Sequence, residues 1–157
     1  YPKSYKLDKL TIASPYIGGS KRAYAYSKFL ESDVVICYKQ RKAANIIGTM
    51  ELIGEVRGRN VILVDDMVDT GGTLAKAADW MIEKGALSVR AICTHAILSG
   101  DAYEKLENSQ LLELIVTDSI PLKRESKKIK VVSCAPLFAE VMQMVQHNNS
   151  ISGKFLM

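Results

Sequence analysis

Cysteine, histidine and long apolar runs are scarce in this sequence of 157 residues, and each scarcity excludes a class of protein. The 3 cysteines are widely spaced without a Cys-x-x-Cys pair, and only 2 histidines are present, so neither a disulfide scaffold nor a Cys/His metal cluster is expected. No apolar run is long enough to cross a bilayer, and the amino end lacks the layout of a secretory signal. We expect a cytoplasmic protein without a membrane partner, in which Cys37, Cys93 and Cys134 are buried, reduced thiols.

Charge and aromatic content exclude a further class of partner. The net charge of +4 is modest for this length, and aromatic residues make up only 7% of the chain. Basic residues are mostly dispersed, and they are not interleaved with aromatic residues in the way that base stacking requires. The sequence therefore predicts no nucleic-acid partner. It also contains no low-complexity tract and no repeat, so residues 1–157 are expected to form a single domain.

Apolar strand-like segments alternate with helical patterns along the chain. Strands are expected at residues 9–13, 33–37, 61–64, 88–95, 112–117 and 130–133, and helices at residues 20–30, 74–82, 101–108 and 136–146. In the last helix, Leu137, Val141, Met144 and Val145 are expected to share a face, and Gly85 is expected to end the second helix. This order predicts an α/β fold with a parallel-core sheet flanked by helices.

The strongest functional signal lies in residues 61–74, where four apolar residues are followed by three carboxylates and a Thr-Gly-Gly-Thr run. The uninterrupted apolar run suits a central parallel strand covered on both faces, and open α/β sheets bind ligands at the carboxyl ends of such strands. The spacing differs from that of a Walker loop and of a dinucleotide turn. An ordinary turn without a ligand is the simpler alternative.

The glycines and threonines of this loop favour an anion. Gly71 and Gly72 allow the backbone amides of residues 70–73 to converge on one ligand, and the hydroxyl groups of Thr70 and Thr73 add donors. The helix that follows presents the positive end of its dipole to the same place. A phosphate group is therefore expected at this turn.

The carboxylates of the loop need a different partner. Asp65, Asp66 and Asp69 lie within five residues and repel one another. Ionised carboxylates are good acceptors for ribose hydroxyl groups, and a hydrated Mg²⁺ bound through one or two of them would offset their charge. A sugar phosphate with a divalent ion would satisfy both halves of the loop.

Residues 65–73 resemble the phosphoribosyl pyrophosphate (PRPP) loop that type I phosphoribosyltransferases share with ribose-phosphate pyrophosphokinases, also called PRPP synthetases. The Asp-Asp-Met-Val-Asp-Thr-Gly-Gly-Thr order favours the synthetases. The resemblance extends over nearly all of the chain, through residues 14–15, 18–22, 39–45, 94–95, 99–100 and 150–152. It implies a type I phosphoribosyltransferase-like fold.

The resemblance is to the C-terminal domain of a PRPP synthetase, with the N-terminal domain absent from this sequence. It implies transfer of pyrophosphate from Mg-ATP to C1 of ribose 5-phosphate, which gives PRPP and AMP for nucleotide biosynthesis. The implied cofactor is Mg²⁺, and the implied partners are ribose 5-phosphate, PRPP, ATP and at most one further copy of the chain. Because the N-terminal domain supplies much of the ATP pocket in the family, the single domain is expected to be inactive alone.

Particular residues acquire roles through this resemblance. Lys39 and Arg41 fall on the catalytic loop of the synthetases, and Arg41 also contacts substrate there. Asp65 and Asp66 would hold the ribose hydroxyl groups. The 5-phosphate would be held by the residues that follow them, which are Asp69, Thr70, Gly71, Gly72 and Thr73. Without the family, the basic run around Lys39 is equally well read as a solvated loop.

One position departs from the family. Tyr16 stands where the synthetases usually carry an Asp that helps to hold magnesium, and a neutral phenol replaces a carboxylate there. Metal ligands therefore stay unassigned. Two alternatives are a non-catalytic regulatory relative, which Tyr16 favours, and a type I phosphoribosyltransferase, which would need a base-recognising segment that we do not find. His95, at a strand end, is expected to serve packing or to approach the loop.

Overall fold

A seven-stranded sheet, parallel except for one edge strand, organises the computed structural model, which describes residues 7–39 and 50–155. The strands are β1 (Leu10–Ser14), β2 (Asp33–Lys39), β3 (Met50–Ile53), β4 (Asn60–Val68), β5 (Ser88–Ala96), β6 (Glu113–Thr117) and β7 (Ile129–Val132). The helices are α1 (Ser20–Leu30), α2 (Gly72–Glu83), α3 (Ala102–Asn108) and α4 (Ala135–Gln146). The strand order is β3-β2-β1-β4-β5-β6-β7. The expected α/β class with a parallel core is confirmed.

Strand β4 lies at the centre of the sheet. Its neighbours β1 and β5 both run parallel to it, and residues 61–64 are fully buried, as a strand covered on both faces requires. Helix α1 packs on one face with Ile62 and Val64, while α2 and α3 pack on the other with Val61 and Leu63. The apolar part of β4 is thus packed on both faces of the sheet.

Two expectations about strands were incomplete. Strand β4 continues to Val68 instead of ending at Val64, because β5 pairs with it as far as Val68 and Ala96 and supplies hydrogen-bonding partners beyond the apolar run. Asp65 and Asp66 therefore lie within the strand and not in a loop after it. Strand β3 was missed altogether, since four residues in antiparallel pairing at the edge of the sheet give too short a pattern to recognise.

Helix α2 has the expected apolar face. Leu74, Ala77, Ala78 and Met81 are buried, and Ile82 packs against the same core. Gly85 follows the helix with a φ of +93°, the left-handed conformation that glycine adopts without strain. The helix is therefore held along its length, and its amino end points at the loop after β4.

Helix α4 also forms where expected, but the described residues leave most of its apolar side exposed, with only Val141 and Met144 partly covered. None of its twelve residues is buried, and Leu137, Phe138, Met142 and Val145 are all exposed. Its amino end is held by Asp118, since the Cys134 N–H donates to Asp118 Oδ1 over 2.9 Å and the Ser133 hydroxyl donates to the same carboxylate. Across residues 7–39 and 50–155, no helix combines the length and apolar character needed to span a membrane.

Candidate functional site

The turn between β4 and α2 depends on one of its two glycines. Gly71 has a φ of +70°, and a Cβ there would lie 3.2 Å from the Ala102 carbonyl oxygen and 3.3 Å from Leu106 Cγ. Gly72 starts the helix, and a Cβ on it would have no neighbour within 4 Å among the described residues. Both glycines were expected to shape the turn, but the structure requires glycine only at Gly71.

A small cavity opens above this turn. Its volume is about 160 Å³, and it is lined by Asp65, Met67, Val68, Asp69, Thr70, Gly71, Thr73 and Leu74. Within residues 7–39 and 50–155, no side chain caps the amino end of α2, so its first amide groups keep their capacity to donate. Free amides, a helix dipole and two threonine hydroxyl groups around one cavity form a suitable site for a phosphate.

Asp69 is held in place by the turn after β5. The Ser99 hydroxyl donates to the Asp69 carboxylate, and the Ser99 N–H donates to the Asp69 carbonyl oxygen over 3.0 Å. Two further amides of that turn, those of Ile97 and Leu98, donate to the Val68 carbonyl oxygen. Ser99 thus supports the loop, a role that its place in the sequence did not reveal.

Arg22 bridges the two adjacent acids. Its Nη1 lies 3.0 Å from Asp65 Oδ1, and its Nη2 lies 2.9 Å from Asp66 Oδ2. The Tyr16 hydroxyl also donates to Asp65 Oδ1 over 2.8 Å. Asp65 is nearly covered, with 12% of its side chain exposed, whereas Asp66 is 46% exposed. One cation and one phenol therefore hold both carboxylates in place.

The strand register explains why Tyr16 and Arg22 reach these acids. Strand β1 runs parallel to β4 with Ala13 opposite Leu63, so the residues just beyond Ala13 end beside Asp65. Helix α1 begins at Ser20 and carries Arg22 in its first turn. Sequence reasoning gave Arg22 no role, although parallel neighbouring strands bring their carboxyl ends to one edge of the sheet.

The two acids differ in proton affinity. Burial is the main cause that raises the pKa of Asp65. Burial also works to raise the pKa of Asp66, but the hydrogen bond with Asp65 and the charge of Arg22 together lower it. Burial and the hydrogen bond to Asp65 raise the pKa of the Tyr16 hydroxyl, which therefore stays protonated and donates. Asp66 is consequently the first of the pair to ionise.

The described residues hold no group of three His, Cys, Asp or Glu side chains placed to bind a metal ion. The Arg22 guanidinium already occupies the space between the two acids, and Asp65 Oδ1 accepts three donors, namely Tyr16, Arg22 and the Asp66 N–H. Mg²⁺ needs near-octahedral oxygen ligands. The residues present do not fit a magnesium ion bound between Asp65 and Asp66.

The other expected residues lie as follows. Lys39 is the last residue of β2, so its backbone is at the carboxyl edge of the sheet with Asp65 and Asp66. Arg41 lies outside the described residues. His95 is on β5, opposite Met67 of β4, and its Nδ1 lies 3.0 Å from Ser119 Oγ.

The predicted burial of the three thiols is confirmed for two of them. Cys37 and Cys93 are buried, and burial raises the pKa of each thiol to about 12. Cys134 was expected to be buried as well, but it is partly exposed at the start of α4, where its Sγ donates to Asp118. The apolar residues before it belong to the short edge strand β7, which does not cover it.

A larger cavity of about 1110 Å³ lies at the opposite edge of the sheet, near the amino ends of β1 and β2. Its lining includes Leu7, Tyr24, Phe29 and Arg59, and the Arg59 guanidinium there is engaged by Asp33. None of the converging acids or loop amides faces it. The smaller cavity above the β4–α2 turn is the candidate site.

Comparisons with known proteins identify relatives of this chain. Ribose-phosphate pyrophosphokinases of Wolinella succinogenes and Campylobacter jejuni are 53% and 49% identical over 156 residues, which is 99% of this chain and 50% of each relative. The chain thus spans about half the length of these relatives. The crystal structure of PRPP synthetase from Mycobacterium smegmatis matches with a TM-score of 0.81 and 31% identity, over 90% of this chain and 46% of that one.

A more distant structure extends the likeness of fold. Orotate phosphoribosyltransferase from Aeropyrum pernix has a TM-score of 0.54 at 18% identity, over 86% of this chain and 66% of that one. The phosphoribosyltransferase-like fold is thereby confirmed. The model of the phosphoribosyl synthetase-associated domain matches residues 18–156. The chain therefore belongs to the phosphoribosyl synthetase-associated domain family.

Proposed function

We propose that this chain is the ribose 5-phosphate- and PRPP-binding half of a PRPP synthetase. The complete protein would transfer pyrophosphate from Mg-ATP to C1 of ribose 5-phosphate and release PRPP and AMP. The observation that carries the proposal is the cavity above the β4–α2 turn. Its volume is about 160 Å³, and carboxylates and free helix amides lie around it. The relatives named ribose-phosphate pyrophosphokinase support the same reaction.

The substrate lies with its phosphate on the turn and its ribose along the strand. Thr70, Thr73 and the amides after Gly71 receive the 5-phosphate, with Asp69 keeping the turn in shape through its bonds to Ser99. The ribose hydroxyl groups donate to Asp65 and Asp66. Carboxylates are strong acceptors for such donors, particularly where one of them is nearly covered.

Lys39 and Arg41 supply the cationic part of the reaction. Phosphoryl-type transfer gathers negative charge on the transferring group, and fixed cations stabilise it. Lys39 ends β2 at the same sheet edge as Asp65, and Arg41 follows two residues later. We assign Lys39 to the transferring group, and Arg41 to both that group and ribose 5-phosphate.

The chain corresponds to the C-terminal half of the longer protein, and another domain completes the site. Its length, 50% of each relative, supports a two-part protein. The exposed apolar side of α4 supports it as well, because Leu137, Phe138 and Met142 form a surface of the kind that other polypeptide covers. This chain alone binds ribose 5-phosphate but does not complete the reaction.

The setting follows from the same proposal. The longer protein works in the cytoplasm in nucleotide biosynthesis, takes ATP as its second substrate and requires Mg²⁺. This chain alone self-associates no further than a dimer. Light scattering tests the last statement, and a hexamer of the isolated chain would refute it.

A chimaera tests the reaction. The matching half of the Wolinella succinogenes relative is replaced by this chain, and AMP formation from ATP and ribose 5-phosphate is measured. We expect activity that depends on ribose 5-phosphate and that Lys39→Ala abolishes. A folded chimaera that binds both substrates without forming AMP would refute catalysis and favour the regulatory relative, the alternative that Tyr16 supports.

A further inference from the structure

The two acids proposed to face the ribose already have a cation of the protein between them. Arg22 Nη1 and Nη2 lie 3.0 Å from Asp65 and 2.9 Å from Asp66, one nitrogen for each carboxylate. A guanidinium group is planar and stays charged at any pH at which the protein folds. The bridge therefore offsets the repulsion between the acids and fixes their relative orientation.

Tyr16 completes the arrangement from the other side. Its hydroxyl and the Asp66 N–H both donate to Asp65 Oδ1, over 2.8 and 2.9 Å, in addition to the bond from Arg22. A divalent cation at this oxygen would have to displace a charged donor and a neutral one. A carboxylate in the place of Tyr16 would instead repel Asp65 and create demand for a cation.

We propose that Arg22 and Tyr16 hold Asp65 and Asp66 in the place of a divalent cation, so that this chain takes the diol of a 5-phosphorylated ribose without a metal ion bound to the protein. The diol hydroxyl groups donate to lone pairs of the carboxylates that Arg22 and Tyr16 do not use. Arg22 is a positioning residue, because it acts on the sugar through the two acids. The identity of the sugar rests on the proposed function, but the replacement of the metal does not.

Manganese binding tests the proposal. Mn²⁺ is titrated into the wild-type chain, Tyr16→Asp and Tyr24→Asp, and binding is followed by calorimetry and by the electron paramagnetic resonance signal of free Mn²⁺. Tyr24 lies on α1 and is 53% exposed, so its replacement adds the same charge away from the acids. We expect Tyr16→Asp to bind Mn²⁺ at least about tenfold more tightly than the other two proteins, since ligand charge sets affinity.

The wild-type chain alone can refute the proposal, even if Tyr16→Asp does not fold. Saturable Mn²⁺ binding by the wild type that Asp65→Asn removes would overturn the proposal. A second titration compares ribose 5-phosphate binding in EDTA with binding in Mg²⁺. Equal affinity is expected, whereas binding that requires Mg²⁺ would contradict the proposal. Absence of sugar binding in both buffers would count against the proposed function alone, and the Mn²⁺ titrations would still decide the question of the metal.

The positioning role of Arg22 has its own readout. Arg22→Gln removes the cation and keeps most of the side chain, so both acids should ionise at higher pH. We expect the pH at which ribose 5-phosphate binding is half-maximal to rise, and Arg22→Lys to recover only part of the shift, because an ammonium group lacks the two-pronged fork. A uniform loss of affinity at every pH would indicate a structural role only and would refute the positioning role.

Discussion

Helices α2 and α4 have the same length and similar apolar content, yet they lie in opposite surroundings. Helix α2 buries five side chains against the sheet and α3, whereas no residue of α4 is buried. The covered helix directs its amino end at the candidate site. The uncovered helix presents Leu137, Phe138 and Met142 to solvent. An apolar helical face thus shows that a partner is needed, but only the fold shows whether this chain supplies it.

The sharpest test of that contrast is a matched pair of methionine truncations. Met81 on α2 is fully buried, and Met142 on α4 is 68% exposed. Met81→Ala should lower the free energy of unfolding by about 2–5 kcal/mol through the cavity it leaves. Met142→Ala should change it by less than about 0.5 kcal/mol. Urea unfolding measures both, and a large effect of Met142→Ala would show that α4 is covered in this chain.

The function of the amino end of α2 can be tested on the same helix. Thr73→Ala and Asp69→Ala should each weaken ribose 5-phosphate binding by about 1–3 kcal/mol, the usual effect of losing a buried or charge-assisted hydrogen bond. Lys76 lies on the exposed side of α2, so Lys76→Ala serves as the control. Calorimetry measures all three variants. Equal affinity of Thr73→Ala and Lys76→Ala for ribose 5-phosphate would show that the phosphate does not bind at this turn.

The two glycines before α2 give a smaller, internal comparison. Gly71→Ala places a Cβ 3.2 Å from the Ala102 carbonyl oxygen at positive φ and should destabilise the fold by about 1–2 kcal/mol. Gly72→Ala places a Cβ that meets no described atom within 4 Å, at the first helical position, so it should be neutral or stabilise by up to about 1 kcal/mol. Thermal unfolding ranks the two variants, and the reverse order would refute the left-handed turn at Gly71.

The smallest expected effect concerns the cap of α4. Hydrogen bonds from the Cys134 thiol, the Cys134 N–H and the Ser133 hydroxyl lower the pKa of Asp118 from its usual 3.8 to about 2. A depressed carboxyl pKa stabilises the fold above the unfolded value, and that stabilisation is lost as the pH falls toward 2. The amino end of α4 should therefore fray between about pH 4 and 2, as followed by NMR.

Asp118→Asn is the control for that titration. The amide keeps the shape of the side chain but has no charge to lose, so α4 should show the same weaker cap at every pH in this range. A normal pKa for Asp118 in the wild type would show that the cap is not formed.

Local sequence patterns predicted most of the fold. The apolar run of residues 61–64, the face of α2 and the left-handed Gly85 all follow from spacing and backbone preference, which act within a few residues. The length of β4 did not follow from them, because its last residues are held by pairing with β5. The exposure of α4 also depends on contacts that are distant in sequence.

In the candidate site too, the features set by neighbouring residues could be predicted, and those set by contacts distant in sequence could not. The turn from Asp69 to Thr73 was recognisable, since its residues are contiguous and each has a local chemical reason. Arg22 was not assigned a role, because its contact with Asp65 and Asp66 depends on the β1–β4 register across more than forty positions. Tyr16 was recognised as a departure from the family, but its hydrogen bond to Asp65 could not be predicted from residue type alone.

Calorimetric titration of ribose 5-phosphate into the chain, set beside ribose without the phosphate, tests the central claim most directly. We predict saturable binding of ribose 5-phosphate, weakened by Thr73→Ala, and no measurable binding of ribose. Equal binding of both sugars, or no binding of either at millimolar concentration, would contradict a phosphate site on the turn between β4 and α2.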